Sequence, residues 1–166
     1  MFQLTDSLIA ELQTMDTPTV CNALELLVPQ RRGYGYTCEP LVCTRPEQKP
    51  MVGIARTATI RSAHPSDLSA DAMRELSDAY YAYIDQGAKP SVIVIQDIDQ
   101  NRGYGAFWGE VNSAIHWGLG CVGLITDGGV RDLPEIAPGF QMLAGRVIPS
   151  HAYVHIVDFS RPINVS

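Results

Sequence analysis

Apolar residues recur at three- and four-residue spacing in four stretches, and each predicts a helix. Leu8, Ile9, Leu12 and Met15 follow the capping candidates Thr5 and Asp6. Asp16 then restarts the count as a cap, Pro18 is tolerated in a first turn, and Val20, Ala23, Leu24 and Leu27 continue the second stripe. The longest stripe runs from about Leu68 to Asp85, through Ala72, Met73, Leu76, Ala79, Tyr80, Tyr83 and Ile84, and is ended by Gly87 and Pro90. The fourth starts near Trp108, Gly109 and Glu110, carries Val111, Ala114, Ile115 and Leu119, and is broken by Gly118 and Gly120.

Between the stripes lie short apolar runs of strand length. Residues 51–60 alternate in part, with Arg56 as the odd position. Ser91 to Ile95 is an uninterrupted β-branched run, which predicts a strand buried on both faces. Val122 to Thr126 predicts a second buried strand, stopping at Asp127-Gly128-Gly129, with a short helical turn from about Asp132. Residues 140–144, 146–148 and 153–159 read as later strands, and residues 29–50 as a loop with a short extended piece at Leu41 to Cys43. Strand–helix–strand alternation predicts an α/β core with parallel pairing. With no linker and no repeat, residues 1–166 form a single domain.

Composition narrows the function. The chain has 46% hydrophobic and 18% charged residues and a formal charge of −6, which excludes a disordered chain. There is no basic face to grip phosphate backbones, so no nucleic-acid partner is expected. No apolar run approaches the roughly 20 residues of a membrane span, and Asp6 and Glu11 are foreign to a signal peptide. A cytoplasmic protein is the expectation. Cys21, Cys38, Cys43 and Cys121 form no Cys-x-x-Cys pair and read as free thiols, with Cys121 in the core; a zinc site from Cys38, Cys43 and a histidine is the weaker reading. His151 and His155, four apart on an expected strand, would be separated by about 13 Å, too far to share a metal.

Chemistry concentrates in two loops that follow the buried strands, where α/β sheets collect ligands. One leads to Gly109, Glu110, Val111 and Asn112 at a helix start, whose free N–H groups favour an anion; the amides of Val111 and Asn112 can hold a carboxylate. The other carries Arg131, a planar fork for a carboxylate or enolate oxygen, and Asp132, an oxygen ligand for a hard cation, with Glu135 three residues on. Each piece alone also reads structurally: Glu110 as a first-turn acid, Arg131 and Asp132 as a surface ion pair, Glu135 as a solvated side chain. No Gly-x-Gly-x-x-Gly, Walker lysine or Gly-x-Ser-x-Gly elbow supports nucleotide binding or a serine hydrolase.

Taken together, Trp108-Gly109-Glu110, twenty intervening residues, Arg131-Asp132 and then Glu135 resemble the RraA-like family. Further stretches are similar to it: residues 17–24, residues 52–57 and the run Gly123 to Asp132. That family holds class II pyruvate aldolases acting on 4-hydroxy-4-methyl-2-oxoglutarate and 4-carboxy-4-hydroxy-2-oxoadipate, and non-catalytic regulators of ribonuclease E. The resemblance implies a layered β/β/α swivelling-type sandwich assembled as a homotrimer or hexamer, with sites at subunit interfaces. It implies that Arg131 binds the keto oxygen of pyruvate and that Asp132 ligates Mg²⁺ or Mn²⁺. Glu110 would hold metal waters, with Glu135 in the outer shell, and the amides of Val111 and Asn112 would take the substrate carboxylate. The regulators depart from the acidic pattern at the Glu110 position, so the acid here favours an enzyme.

Three departures accompany the resemblance. Asn22 stands where an aspartate is usual, and Glu110 is longer than the aspartate of the characterised aldolases. The sequence ends at Ser166, ahead of the family's last strands and C-terminal helix. The expected activity is a metal-dependent lyase on small 4-hydroxy-2-oxo acids, passing through a pyruvate enolate and so able to decarboxylate oxaloacetate. Arg56, residues 96–104 and a neighbouring subunit would set selectivity. The alternative is a regulator that binds a ribonuclease or another partner protein. A methyltransferase finds no support in any methyl-donor glycine motif.

Overall fold

The caps expected from sequence form. In the computed structural model, which describes residues 4–165, Thr5 Oγ1 accepts the Leu8 N–H at the head of α1 (Asp6–Leu12). Asp16 Oδ1 accepts the Thr19 N–H at the head of α2 (Thr17–Leu27). Ser69 does the same for α3 (Ala70–Asp85), which starts two residues later than its apolar stripe. Each bond satisfies an N–H that has no partner inside its helix. The α4 helix (Glu110–Gly118) is capped by Gly109, which offers no side chain.

One seven-stranded mixed sheet carries the domain. Its strands are β1 (Val42–Cys43), β2 (Ile54–Arg61), β3 (Ser91–Asp97), β4 (Ala106–Trp108), β5 (Cys121–Val130), β6 (Gln141–Val147) and β7 (His155–Phe159). The order is β1-β6-β5-β3-β2-β7, with β4 paired to the end of β5. β2, β3, β5 and β6 run parallel, and β1 and β7 close the edges antiparallel. The α/β expectation holds. Register places Ala58, Ile95, Thr126 and Ala144 at one level and Ile93, Leu124 and Met142 at another. That face packs on Tyr80 and Ile84 of α3 and on Trp108 and Phe140. On the opposite face, Thr57, Val94, Ile125 and Leu143 are only half-buried, because no residue of α1 or α2 is fully buried against them. The β3 strand is fully buried on the first face, while on the second Val92 is buried and Val94 half-buried.

Several expected boundaries move. β5 runs on through Asp127, Gly128 and Gly129 to Val130, because β4 and β6 both continue to pair with it. β6 is one strand, not two: Gly145 lets the Asp127 carbonyl approach where a Cβ would fall 2.4 Å from its oxygen. His151 lies in the turn before β7, so the two histidines do not share a strand. Arg56 is not at the loop end of the sheet. Its guanidinium carbon sits 3.6 Å over the Tyr83 ring and Nη2 donates to the Tyr83 carbonyl, at the C-terminal end of α3. Lys89 Nζ donates to the Ile84 carbonyl there at 2.7 Å. Both cations favour the negative end of the helix dipole, which explains Arg56 better than substrate selection does. Cys121 is buried as expected, and burial raises its thiol to about 11.

His116 ties α4 to α3. Its Nδ1 lies 2.7 Å from the Asn112 carbonyl, which can only accept, so Nδ1 carries the proton and Nε2 accepts from Tyr80 OH at 2.9 Å. Burial lowers its pKa to about 4. An unfolded histidine takes up a proton near pH 6.5, and the folded one refuses it. Stability is therefore expected to fall by about 3 kcal/mol between pH 7 and pH 4 through this group alone. Urea denaturation across that range should show a slope that is flattened in His116→Gln; an unchanged slope would contradict the assignment.

Candidate active site

Because β3 and β5 are adjacent and parallel, the loops that follow them meet at one end of the sheet. The loop after β3 leads into β4, where Ala106 pairs with Gly129 and Trp108 with Val130. The Arg131 N–H then donates to the Trp108 carbonyl at 2.9 Å. These bonds press the start of α4 against Arg131 and Asp132. A Cβ on Gly109 would lie 2.5 Å from Asp132 Oδ2 and 3.1 Å from Arg131 Cγ, so a side chain there would push the Asp132 carboxylate aside.

Asp132 takes a left-handed conformation, φ 53° and ψ 43°, which aspartate tolerates better than most residues. Its Oδ2 accepts from Arg131 Nε at 3.0 Å. That bond leaves the Nη groups of Arg131 for other partners. The N–H groups of Glu110, Val111 and Asn112 open α4 and have no intrahelical acceptor, and the Ser113 N–H is the first to be satisfied, by the Gly109 carbonyl at 3.0 Å. The Asn112 side chain is turned inward, accepting from Tyr81 OH at 3.1 Å and donating to the Phe107 carbonyl. Its side chain is thus engaged inside the fold, and its backbone N–H is one of the three that open the helix. Glu110 is exposed one residue from Gly109. Glu135 is exposed on the single 3-10 turn Leu133–Glu135; its N–H donates to the Asp132 carbonyl, and no side-chain bond ties it to the group.

Among the described residues, no three His, Cys, Asp or Glu side chains converge as a metal cage. Cys38 and Cys43 therefore build no zinc site there. Asp132, beside Gly109, is one carboxylate whose side chain is 41% exposed. That fits a small hard cation that keeps most of its water, such as Mg²⁺ or Mn²⁺.

The sequence reading missed what holds the two loops together. Asp97 and Asp127, at the ends of β3 and within β5, are both buried. The Asp97 N–H donates to Asp127 Oδ1 at 2.7 Å. The Asp97 carboxylate accepts the N–H groups of Gly103 at 2.7 Å and Asp99 at 3.0 Å. Arg102 Nη1 lies 3.4 Å from Asp127 Oδ2. Burial raises both carboxyls above the ordinary range, opposed by these backbone bonds and by Arg102. Asp99 continues the chain, accepting from Ser62 and Ala63 N–H at 2.6 and 2.8 Å. An aspartate closing each of two buried strands was the available signal; spacing alone did not show that they meet.

The chain is a mixed α/β domain in which a helix N-terminus lies against an Arg-Asp pair. The RraA-like family model, described as Aldolase/RraA, matches residues 10–166, and the chain belongs to this family. No curated protein matches it. Among solved structures, an uncharacterised protein from Pseudomonas syringae pv. tomato is 20% identical with a TM-score of 0.70, over 99% of this chain and 71% of that one. Streptomyces coelicolor RraAS2, described as an unusual member of the RNase ES inhibitor RraA family, is 19% identical with a TM-score of 0.65, over 97% and 75%. A structure described as a novel cellulase from gut-associated microbes is 16% identical with a TM-score of 0.69, over 100% and 71%. At these identities the likeness is one of fold. No helix among the described residues is long and apolar enough to cross a membrane.

Removing the Asp127 side chain would leave the buried Asp97 N–H without its acceptor. Asp127→Ala is expected to cost about 2–4 kcal/mol in urea unfolding, and Asp127→Asn, which keeps an oxygen for the N–H, clearly less. Equal losses would mean that the backbone bond is not what matters.

Proposed function

We propose that the chain is a divalent-metal-dependent lyase that cleaves the C3–C4 bond of small 4-hydroxy-2-oxo acids. The family includes both aldolases and RraA regulators. The observation that favours catalysis is the contact at Gly109, which puts the start of α4, at Glu110, beside the Arg131-Asp132 pair. The amides of Val111 and Asn112 take the substrate carboxylate, and Arg131 binds the 2-oxo oxygen. Asp132 would hold Mg²⁺ or Mn²⁺, which would supply Lewis acidity at the 2-oxo group. Glu110, through a water, accepts the proton of the 4-hydroxyl as the C3–C4 bond breaks. The bonding pair moves into the enolate of pyruvate, whose oxygen Arg131 stabilises, and the rest leaves as an aldehyde or ketone. Return of the proton to C3 gives pyruvate. Glu135 acts at most from the outer shell of the cation.

Oxaloacetate passes through the same enolate when it loses CO₂, so its decarboxylation is a side reaction of the same site. Exposed apolar side chains also favour assembly. Val111 is 65% exposed at the head of α4, and Leu26 and Leu27 of α2 are 82% and 79% exposed. We propose a homotrimer or hexamer that covers such surfaces and borders the site with a second subunit.

Pyruvate release over a panel of 4-hydroxy-2-oxo acids with Mg²⁺ tests the reading. EDTA should abolish it, and Arg131→Ala should lower kcat/KM by about 10²–10³. Activity that survives either treatment overturns the mechanism. Gly109→Ala should lower activity comparably, because its Cβ displaces the Asp132 carboxylate. A folded chain that releases no pyruvate with either metal, yet retains a partner protein in a pull-down, would instead support the regulator reading.

A further inference from the structure

No side chain caps α4. Thr5, Asp16 and Ser69 each accept the N–H three residues on, at the heads of α1, α2 and α3. Gly109 has no oxygen to do the same. A cap at that position would also occupy the Asn112 N–H. A helix start without a cap frays unless other bonds hold it.

Two adjacent side chains of the first turn supply those bonds. Asn112 Nδ2 donates back to the Phe107 carbonyl in β4, and Asn112 Oδ1 accepts from Tyr81 OH of α3 at 3.1 Å. Ser113 is fully buried. Its Oγ donates to the Glu110 carbonyl at 2.8 Å and accepts the Ala137 N–H at 3.0 Å. Ala137 follows the 3-10 turn that begins after Asp132. The first turn is thus tied through Asn112 to β4 and α3, and through Ser113 to the segment that carries Arg131 and Asp132. None of these bonds uses the N–H of Glu110, Val111 or Asn112.

We propose that the side chains of Tyr81, Asn112 and Ser113 are positioning groups. In place of a cap, they fix the first turn of α4 against the Arg131-Asp132 pair and leave its N–H groups for a ligand. That the ligand is a substrate carboxylate rests on the lyase reading; the ordering of the turn does not.

Two kinds of measurement on the whole chain separate these claims. Tyr81→Phe removes one oxygen and keeps a half-buried ring, so it should fold normally. Asn112→Ala removes both bonds of that side chain. In both variants the Ser113 N–H, the first one satisfied within α4, should exchange with deuterium about two- to tenfold faster, the effect of losing one hydrogen bond. Amides of β3 and β5 should keep their rates. Calorimetric Mn²⁺ affinity should hold, while pyruvate affinity with Mn²⁺ present should fall by a similar two- to tenfold, in Ser113→Ala as well. KM for a cleaved 4-hydroxy-2-oxo acid should rise with kcat nearly constant, because the carboxylate is held alike before and during cleavage. A merely structural role would lower the amount of active enzyme and leave KM where it was.

Unchanged Ser113 exchange in both variants overturns the proposal. So does a pyruvate affinity that stays constant, or that falls only together with Mn²⁺ affinity. Faster exchange in a chain that neither binds nor releases pyruvate overturns the lyase reading and supports the ordering of the turn.

Discussion

The architecture hangs on a single backbone-to-carboxylate bond between the two central strands. The Asp97 N–H donates to Asp127 Oδ1 at 2.7 Å, in a place closed to water. A buried carboxylate is costly unless its oxygens are satisfied, and here each acid is occupied by main-chain donors or faces Arg102. In return, Asp97 gathers the loop after β3 by accepting from Gly103 and Asp99. That loop delivers β4 to the flank of β5, β4 delivers Gly109, and Gly109 sets α4 against Arg131 and Asp132. Loss of the bond would act on the site through every one of these steps, although neither acid lies in it.

The helical layer rests on a second buried polar contact. Tyr80 on α3 and His116 on α4 share a hydrogen bond, and the Trp108 ring lies tilted against His116 with ring centroids 4.5 Å apart. The end of β4, the body of α4 and the middle of α3 are thus one packed unit. Arg56 and Lys89 finish α3 from outside, since its own last turn carries no basic residue. The opposite face of the sheet is only half-covered by the N-terminal segment, and two apolar hollows remain along it, sharing Met51 and Ile125. The domain is firm on the side that positions the site and open on the other.

Much of this was legible along the chain. Capping residues and stripes located all four helices, and the β-branched runs located β3 and the first half of β5, because periodicity and N-cap chemistry are local. Errors fell where tertiary contacts override local preference. Asp127, Gly128 and Gly129 read as a turn, since each is a turn former, yet they extend β5 because β4 and β6 pair with it on both sides. Gly145 read as a break between two strands for the same reason. The short β4 had no periodicity to show. Arg56 was expected to help set selectivity, whereas its partner is a helix terminus 27 residues away in sequence.

The sequence by itself determined the α/β class, the helices, and the presence of an acid, an arginine and an aspartate in two loops after strands. These follow from residue types and short spacings, which the chain carries wherever it is placed. Only the tertiary structure decided that the two loops meet, since that depends on β3 and β5 being neighbours and on Asp97 finding Asp127. It also decided that the Asn112 side chain is engaged inside the fold. Such features are set by distances between residues far apart in sequence, and no local pattern encodes those distances.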